Sequence, residues 1–277
     1  MIKPMTIIAA AASVAVACLT FSSAAHAGAV LDRVLATKTL TVATSIGWPP
    51  SSFMNDKGEL DGFDVEVAKG IAKQLGVDVK FVTPEWNLVT SGKWAGRWDL
   101  TMGQMVPTEE RAKKFGFPSM YIYTGTVALV HKDSKATKLS DLDGKRIGVV
   151  AGTTNESYAN HTLEVFGQPP IQYHFTPGEV KSYEGTPSPY DDLRLGDGVR
   201  LDGAITDETQ ARDIIKAGFP LKIIGEPFAY MPGGIAILHG DKEFSDKLGA
   251  AIKSLKDDGA LAKLSIKWFG TDYTAAE

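Results

Sequence analysis

The stretch DLTMGQMVPTEER, Asp99 to Arg111, runs from a short apolar strand through a glycine-containing turn into a polar segment that carries one arginine. Gly103 lets backbone groups approach a small ligand closely, and a guanidinium a few residues on offers a planar fork for two carboxylate oxygens. Trp98 to Gln104 reads as the strand, so the arginine's turn falls at a strand's C-terminal end, where open α/β sheets hold their ligands. An arginine in such a place is also an ordinary surface ion-pair partner. The stretch therefore gains meaning only if the chain supplies a second half.

Outward from it, β-patterned and helical segments alternate, as in a parallel or mixed sheet covered by helices. Thr39 to Ala43 is a strand; Asp64 caps a helix with Val65, Ala68, Ala72 and Leu75 on one face, ended by Gly76; Val77, Val79 and Phe81 make the next strand. A second set begins near Lys145, with a strand from Arg146 to Ala151, a turn at Gly152-Thr153-Thr154 and a helix-compatible run from Asn155 to Phe166. Leu201 to Thr206 is a strand leading into Asp207 and a helix from Glu208 to Ala217, and Leu221 to Gly225 and Gly234 to Leu238 are two further strands. Helices follow over Lys242 to Asp257 and Ala260 to Trp268. The Pro-, Gly- and Asp-rich segment Glu184 to Gly198 reads as mostly loop. Gly125 to His131 and Gly225 to Met231 are the expected crossings of a two-lobed molecule.

Composition sets the remaining bounds. Residues 1–27, with Lys3, an apolar run from Ile7 to Leu19 and the ending Ala25-His26-Ala27, read as a cleavable signal peptide, because the run is well under the ~20 residues of a spanning helix. The only cysteine, Cys18, lies within it, so the 250 remaining residues hold no thiol for a disulfide or a thiolate metal site. They carry 28 basic and 33 acidic residues, without a basic run suited to nucleic acid or anionic lipid. A small-molecule partner is the expectation. The division is a signal peptide at 1–27, a first lobe at 28–128 plus 229–277, and a second lobe at 129–228.

Three groups are candidates for the second half of the clamp. Thr153, after a strand and before a helix, either caps that helix or presents its hydroxyl and the first backbone N–H groups, with Thr154, to an anion. Asp207 either caps the following helix or accepts a ligand ammonium. Trp48 in WPP and Trp86 in EWN sit in loops after strands, where flat side chains either pack internally or wall a ligand. Trp94 and Trp98 are read as packing residues.

In unbroken order from Thr39 to Gly270, the runs WPPSSFMNDKGELDGFDVEVAKGIAKQLG, TMGQMVPTEERAKKFGF, GKRIGVVAGTTNESY, LDGAITDE and DGALAKLSIKWFG resemble the periplasmic solute-binding proteins of polar amino acid ABC transporters. The resemblance implies two α/β lobes joined by a two-strand hinge, the type II periplasmic-binding-protein fold, closing on an amino acid delivered to a membrane permease. By position it places Arg111 and Thr153 on the α-carboxylate and Asp207 on the α-ammonium, with the backbone around Gly103, including Gln104 and Met105, and the neighbouring Thr154 in the ligand shell. Trp48 and Trp86 become aromatic walls. It also implies a monomeric periplasmic protein with no cofactor, no metal and no catalytic residue.

Three positions depart from that pattern. Val106 stands where relatives place a Ser or Thr that bonds the carboxylate, removing a neutral contact of ~1 kcal/mol. Glu109 replaces a proline just before the arginine's turn, which loosens or partly neutralises Arg111. Ser45 stands where binders of basic amino acids often carry Asp, which points to a neutral amino acid or a related zwitterion. Two rival functions remain. A dehydratase of the cyclohexadienyl type on the same scaffold needs a placed acid or base; Glu109, Glu156 and Asp207 lack a tuning partner in the sequence, and the five histidines are scattered. A ligand-sensing partner of a separate receptor uses the same site without transport.

Overall fold

The computed structural model describes residues 28–275, so the expected signal peptide and Cys18 lie outside the described residues. Nine strands form one sheet. Along its path lie Glu179–Tyr183, Arg146–Val150, Gly203–Asp207, Met120–His131, Leu221–Leu238, Leu100–Met105, Thr39–Ala43 and Asp78–Val82, with Phe115–Gly116 beside the end of Leu221–Leu238. The outer strands pair in parallel: Thr39–Ala43 with both Asp78–Val82 and Leu100–Met105, and Arg146–Val150 with both Glu179–Tyr183 and Gly203–Asp207. The two central strands are antiparallel to each other and serve both halves.

Apolar side chains divide this sheet into two lobes. In the first, Leu40, Phe63, Ile71, Leu100, Tyr121 and Leu248 share a core between sheet and helices, and Trp94, Trp98 and Phe115 form a satellite cluster. In the second, Val130, Ile147, Tyr158 and Phe228 make one cluster and Leu129, Tyr190, Leu193 and Leu201 another. The change of core falls near Thr124–Thr126, and Val127 and Ala128 already belong to second-lobe clusters. The two strands expected at 221–225 and 234–238 are one, Leu221–Leu238. Its ladder with Met120–His131 continues through register shifts between Ile224 and Phe228 and between Phe228 and Met231, which lets a paired strand bend without being broken.

Two local expectations are corrected, and a third segment, still mostly loop, gains one short helix. Asp64 is no cap: the helix is Phe63–Leu75 with Gly62 at its N-cap position, and the Asp64 side chain is buried beneath it. The run from Asn155 is helical only over Thr154–Ala159, because His161 at φ 56 turns the chain away and Leu163 and Val165 are buried individually in the second lobe. Within 184–198, Ser188 caps the short helix Pro189–Leu193 through a capping box with Asp191. Tyr190 and Leu193 are buried, and Asp192 accepts hydrogen bonds from Tyr183, Lys181 and Arg200. The helix is seated on the strand at Gly148, where an added Cβ would lie 2.5 Å from Leu201 Cδ1 and 2.9 Å from Pro189 Cβ. Gly148→Ala is therefore expected to destabilise the protein by about 1–3 kcal/mol in denaturant unfolding, the usual cost of overpacking. An unchanged midpoint would show that this helix is not packed on the sheet.

Candidate ligand-binding site

The strand Leu100–Met105 ends at Val106-Pro107, and Thr108 caps the short helix Glu109–Ala112, its hydroxyl accepting from the Arg111 backbone N–H at 3.1 Å. Arg111 thus starts from a fixed turn. Its guanidinium donates to the Val106 carbonyl at 3.1 Å in the first lobe and to the Gly152 carbonyl at 2.9 Å in the second. Arg111 is 9% exposed and forms no ion pair among the described residues. Burial draws its pKa down to about 10, against the opposite pull of Glu110, so it stays cationic at neutral pH.

Trp86 opens the helix Trp86–Ser91 instead of lying in a loop. Its Nε1 donates to the same Gly152 carbonyl at 3.1 Å, and the Arg111 guanidinium carbon lies 5.5 Å from its ring centre. Gly103 is the seat of this ring: an added Cβ would lie 3.3 Å from Trp86 Cζ3. Arg111, Trp86, Gly103 and the Gly152-Thr153-Thr154 turn are thus brought together. Thr153 caps its helix, accepting from Glu156 N–H at 3.3 Å while its hydroxyl donates to Val150 O at 2.7 Å, so its side chain is engaged locally.

Asp207 occupies the N-cap position of Glu208–Lys216 without making a side-chain cap bond. Burial pushes its carboxyl up to about 6, opposed by a hydrogen bond from Asn155. Asn155 in turn accepts from Thr126 at 3.3 Å, tying Asp207 to the central strand and to the helix after Thr153. The sequence offered no cue to Asn155 beyond a polar residue early in a helix. Trp48 is half-buried in a small hairpin, where Gly47–Trp48 pairs with Ser52–Met54. Pro50, two residues on, lines a cavity of about 320 Å³ with Thr209, Arg212, Trp268 and Phe269, which neither Trp48 nor Asp207 enters.

The side chains of Gln104 and Met105 face inward, so only their backbones are available to a ligand. Met105 is buried with Trp94 and Phe115. Gln104, at φ 48, donates through Nε2 to Ser51 Oγ at 2.9 Å and Asp64 Oδ1 at 3.2 Å, and its N–H donates to Tyr121 Oη at 3.0 Å. Tyr121 Oη donates to the same Asp64 Oδ1 at 3.0 Å, while Asp64 Oδ2 is buried without a partner. Desolvation pushes Asp64 up to about 7 despite these bonds. The Gln104 amide thus joins the loop after Trp48, through Ser51, to this buried acid and to the strand end at Gly103.

A family model of bacterial extracellular solute-binding proteins, family 3, matches residues 40–271. The chain belongs to this family. It is 33% identical over 248 residues to the L-cystine-binding protein TcyJ of Escherichia coli (strain K12), covering 88% of each chain, and 30% identical over 259 residues to a probable amino-acid ABC transporter-binding protein of Haemophilus influenzae, covering 92% of this chain and 94% of that one. Among solved structures, an ancestral arginine-binding protein bound to glutamine superposes with a TM-score of 0.72 at 33% identity, covering 84% of this chain and 98% of that one. The ancestral amino acid-binding protein AncCDT-1, a precursor of cyclohexadienyl dehydratase, gives 0.74 at 31% identity, covering 86% and 99%.

The chain is thus a family 3 solute-binding protein with the type II two-lobed fold, and the relatives it resembles are amino-acid-binding proteins. Its side chains agree with that. Glu109 is exposed, and Glu156 accepts from Gly152 N–H at 2.7 Å and from Ser182 Oγ, so two of the three acids open to a dehydratase reading are directed elsewhere. Among the described residues there is no group of three or more His, Cys, Asp or Glu able to hold a metal ion, and no helix is long and apolar enough to cross a membrane.

The Asp64 carboxyl has a definite signature in pH. Its folded pKa lies above the ordinary ~3.9, so the folded state binds the extra proton. The resulting stabilisation is complete below about pH 4 and is lost as pH rises through about 7. Asp64→Asn, which resembles the protonated acid in shape, is expected to gain stability relative to the parent as pH rises across that window in urea titrations. Parallel stability curves would show that the Asp64 carboxyl ionises at its ordinary pKa in the folded protein.

Proposed function

We propose that this binding protein holds a neutral zwitterionic amino acid between its two lobes, the first of which ends near Thr124–Thr126, a few residues before the expected bound at 128. The α-carboxylate lies on Arg111 and the backbone N–H groups of Thr153 and Thr154, and the α-ammonium on Asp207 and the backbone at Gly103 to Met105. Trp48 and Trp86 wall the side chain. The observation that carries this reading is the buried, cationic Arg111, whose guanidinium forms no ion pair among the described residues and donates only to two backbone carbonyls. Asp207 supports it from the second lobe, being an enclosed carboxyl left free of the cap role its position offers. Ser45, in place of the Asp of binders of basic amino acids, favours a neutral ligand side chain.

Contacts from both lobes exist only in the closed form, so the ligand draws the molecule closed by its differential affinity for that form. The named ligands of the relatives, L-cystine, arginine and histidine, and the glutamine of the ancestral structure define the first panel to test. The protein is exported by cleavage after Ala27, acts as a monomer and delivers its ligand to an ABC permease.

Thermal-shift measurements with that panel are expected to show the largest stabilisation with L-cystine or L-glutamine, and none with amines that lack a carboxylate. A large shift with a carboxylate-free amine would defeat the zwitterion reading. With the best ligand, Arg111→Ala is expected to raise Kd at least tenfold in calorimetry, since a charge-assisted contact is worth ~1.5–3 kcal/mol. Unchanged Kd in a folded variant would remove Arg111 from the site.

A further inference from the structure

We propose that Val106 and the backbone N–H of Glu109 set ligand affinity by fastening the two lobes to each other, without touching the ligand. Val106 follows the first-lobe strand Leu100–Met105, yet its side chain, 7% exposed, belongs to the second-lobe cluster that contains Tyr158, Leu163 and Val165. The next residues continue the seam as a short antiparallel pairing. Thr108 bridges Val165, Glu109 N–H donates to the Glu164 carbonyl at 3.1 Å, and Phe166 N–H donates to the Pro107 carbonyl at 2.8 Å. An apolar knob and two backbone hydrogen bonds therefore join first-lobe residues 106–109 to second-lobe residues 163–166.

Both positions depart from the family pattern noted in the sequence, and each departure is what its contact requires. A serine hydroxyl at 106 would be carried into an apolar cluster, whereas valine adds a branched apolar side chain to it. A proline at 109 would suit the first position of the helix Glu109–Ala112, but it has no N–H to give the Glu164 carbonyl. The neutral contact that Val106 takes from the carboxylate is thus replaced by contact between the lobes.

The seam is also continuous with the arginine's support, since the Val106 carbonyl accepts from the guanidinium and the Thr108 hydroxyl caps the Arg111 N–H. Closing the seam sets the turn from which Arg111 projects. Because its contacts are between protein groups, the seam favours the closed form whether or not ligand is bound, and apparent affinity scales with the fraction of molecules in the binding-competent form.

The consequence for affinity rests on the closure reading above, but lobe separation is measurable without any ligand. Spin labels at Glu59→Cys in the first lobe and Glu184→Cys in the second, both exposed positions, report the separation by pulsed dipolar spectroscopy of the ligand-free mature protein. Glu109→Pro and Val106→Ser are expected to move the distance distribution toward longer separations, while Val106→Ile keeps that of the parent. Val106→Ala serves as the second variant if either of the first two fails to fold. Calorimetry with L-cystine and L-glutamine is expected to show Kd raised about fivefold, as when a closed fraction of about a half falls to about a tenth. Coincident distance distributions in all folded variants would overturn the seam, even if both amino acids bind. A shift in distance with neither amino acid bound would leave the seam standing and overturn the ligand reading instead.

Discussion

A guanidinium enclosed by protein with only neutral acceptors is the constraint around which the cleft is arranged. Arg111 has five N–H donors and spends one on a carbonyl from each lobe, so its charge is partly solvated by the backbone but not neutralised. The neighbouring architecture serves that arrangement. Trp86 spreads beside the guanidinium and donates to the same Gly152 carbonyl, and Gly103 leaves room for the ring. Gly152 is consequently the place where the two halves of the site meet through a single oxygen.

Much of this was legible in the chain because it is written in local chemistry. The alternation of strand and helix, the glycine that ends the helix at Leu75, the threonine before the turn at 154 and the arginine after a strand are short-range signals, and they are found where the residues imply. What was not legible depends on partners distant in sequence. Asp64 has the composition of a cap, and only the approach of Tyr121 and Gln104, 57 and 40 residues away, turns it into a buried acid. The run through Leu163 and Val165 is compatible with a helix in composition, but the pairing with 107–109 draws it out as an extended edge. Gln104 and Met105 lie at the right place along the strand, and the direction of their side chains is set by cores that no local pattern reveals.

The Asp64 node also shows how a strained residue is kept in place. A non-glycine residue at φ 48 costs of order 1–3 kcal/mol and persists where its surroundings over-determine it. Gln104 is held at its N–H by Tyr121 and at its amide by Ser51 and Asp64, so backbone and side chain are restrained from one side. This leaves the backbone at the strand end free to face the cleft. The same bonds fix the loop after Trp48, so that loop and the strand end share one foundation.

The central pair of strands carries a kinetic implication. Two hydrogen-bonded chains that pass from one core into the other resist sliding and separation, yet they twist and bend where their register shifts. Such a connection favours rotation of the halves over sliding or separation, because bending at the register shifts leaves the ladder paired. An encounter complex formed on one half need not search orientations to find the other. With the ligand held as proposed, a swing through a single angle brings the opposing groups to it, and little ordering entropy opposes the contacts that follow.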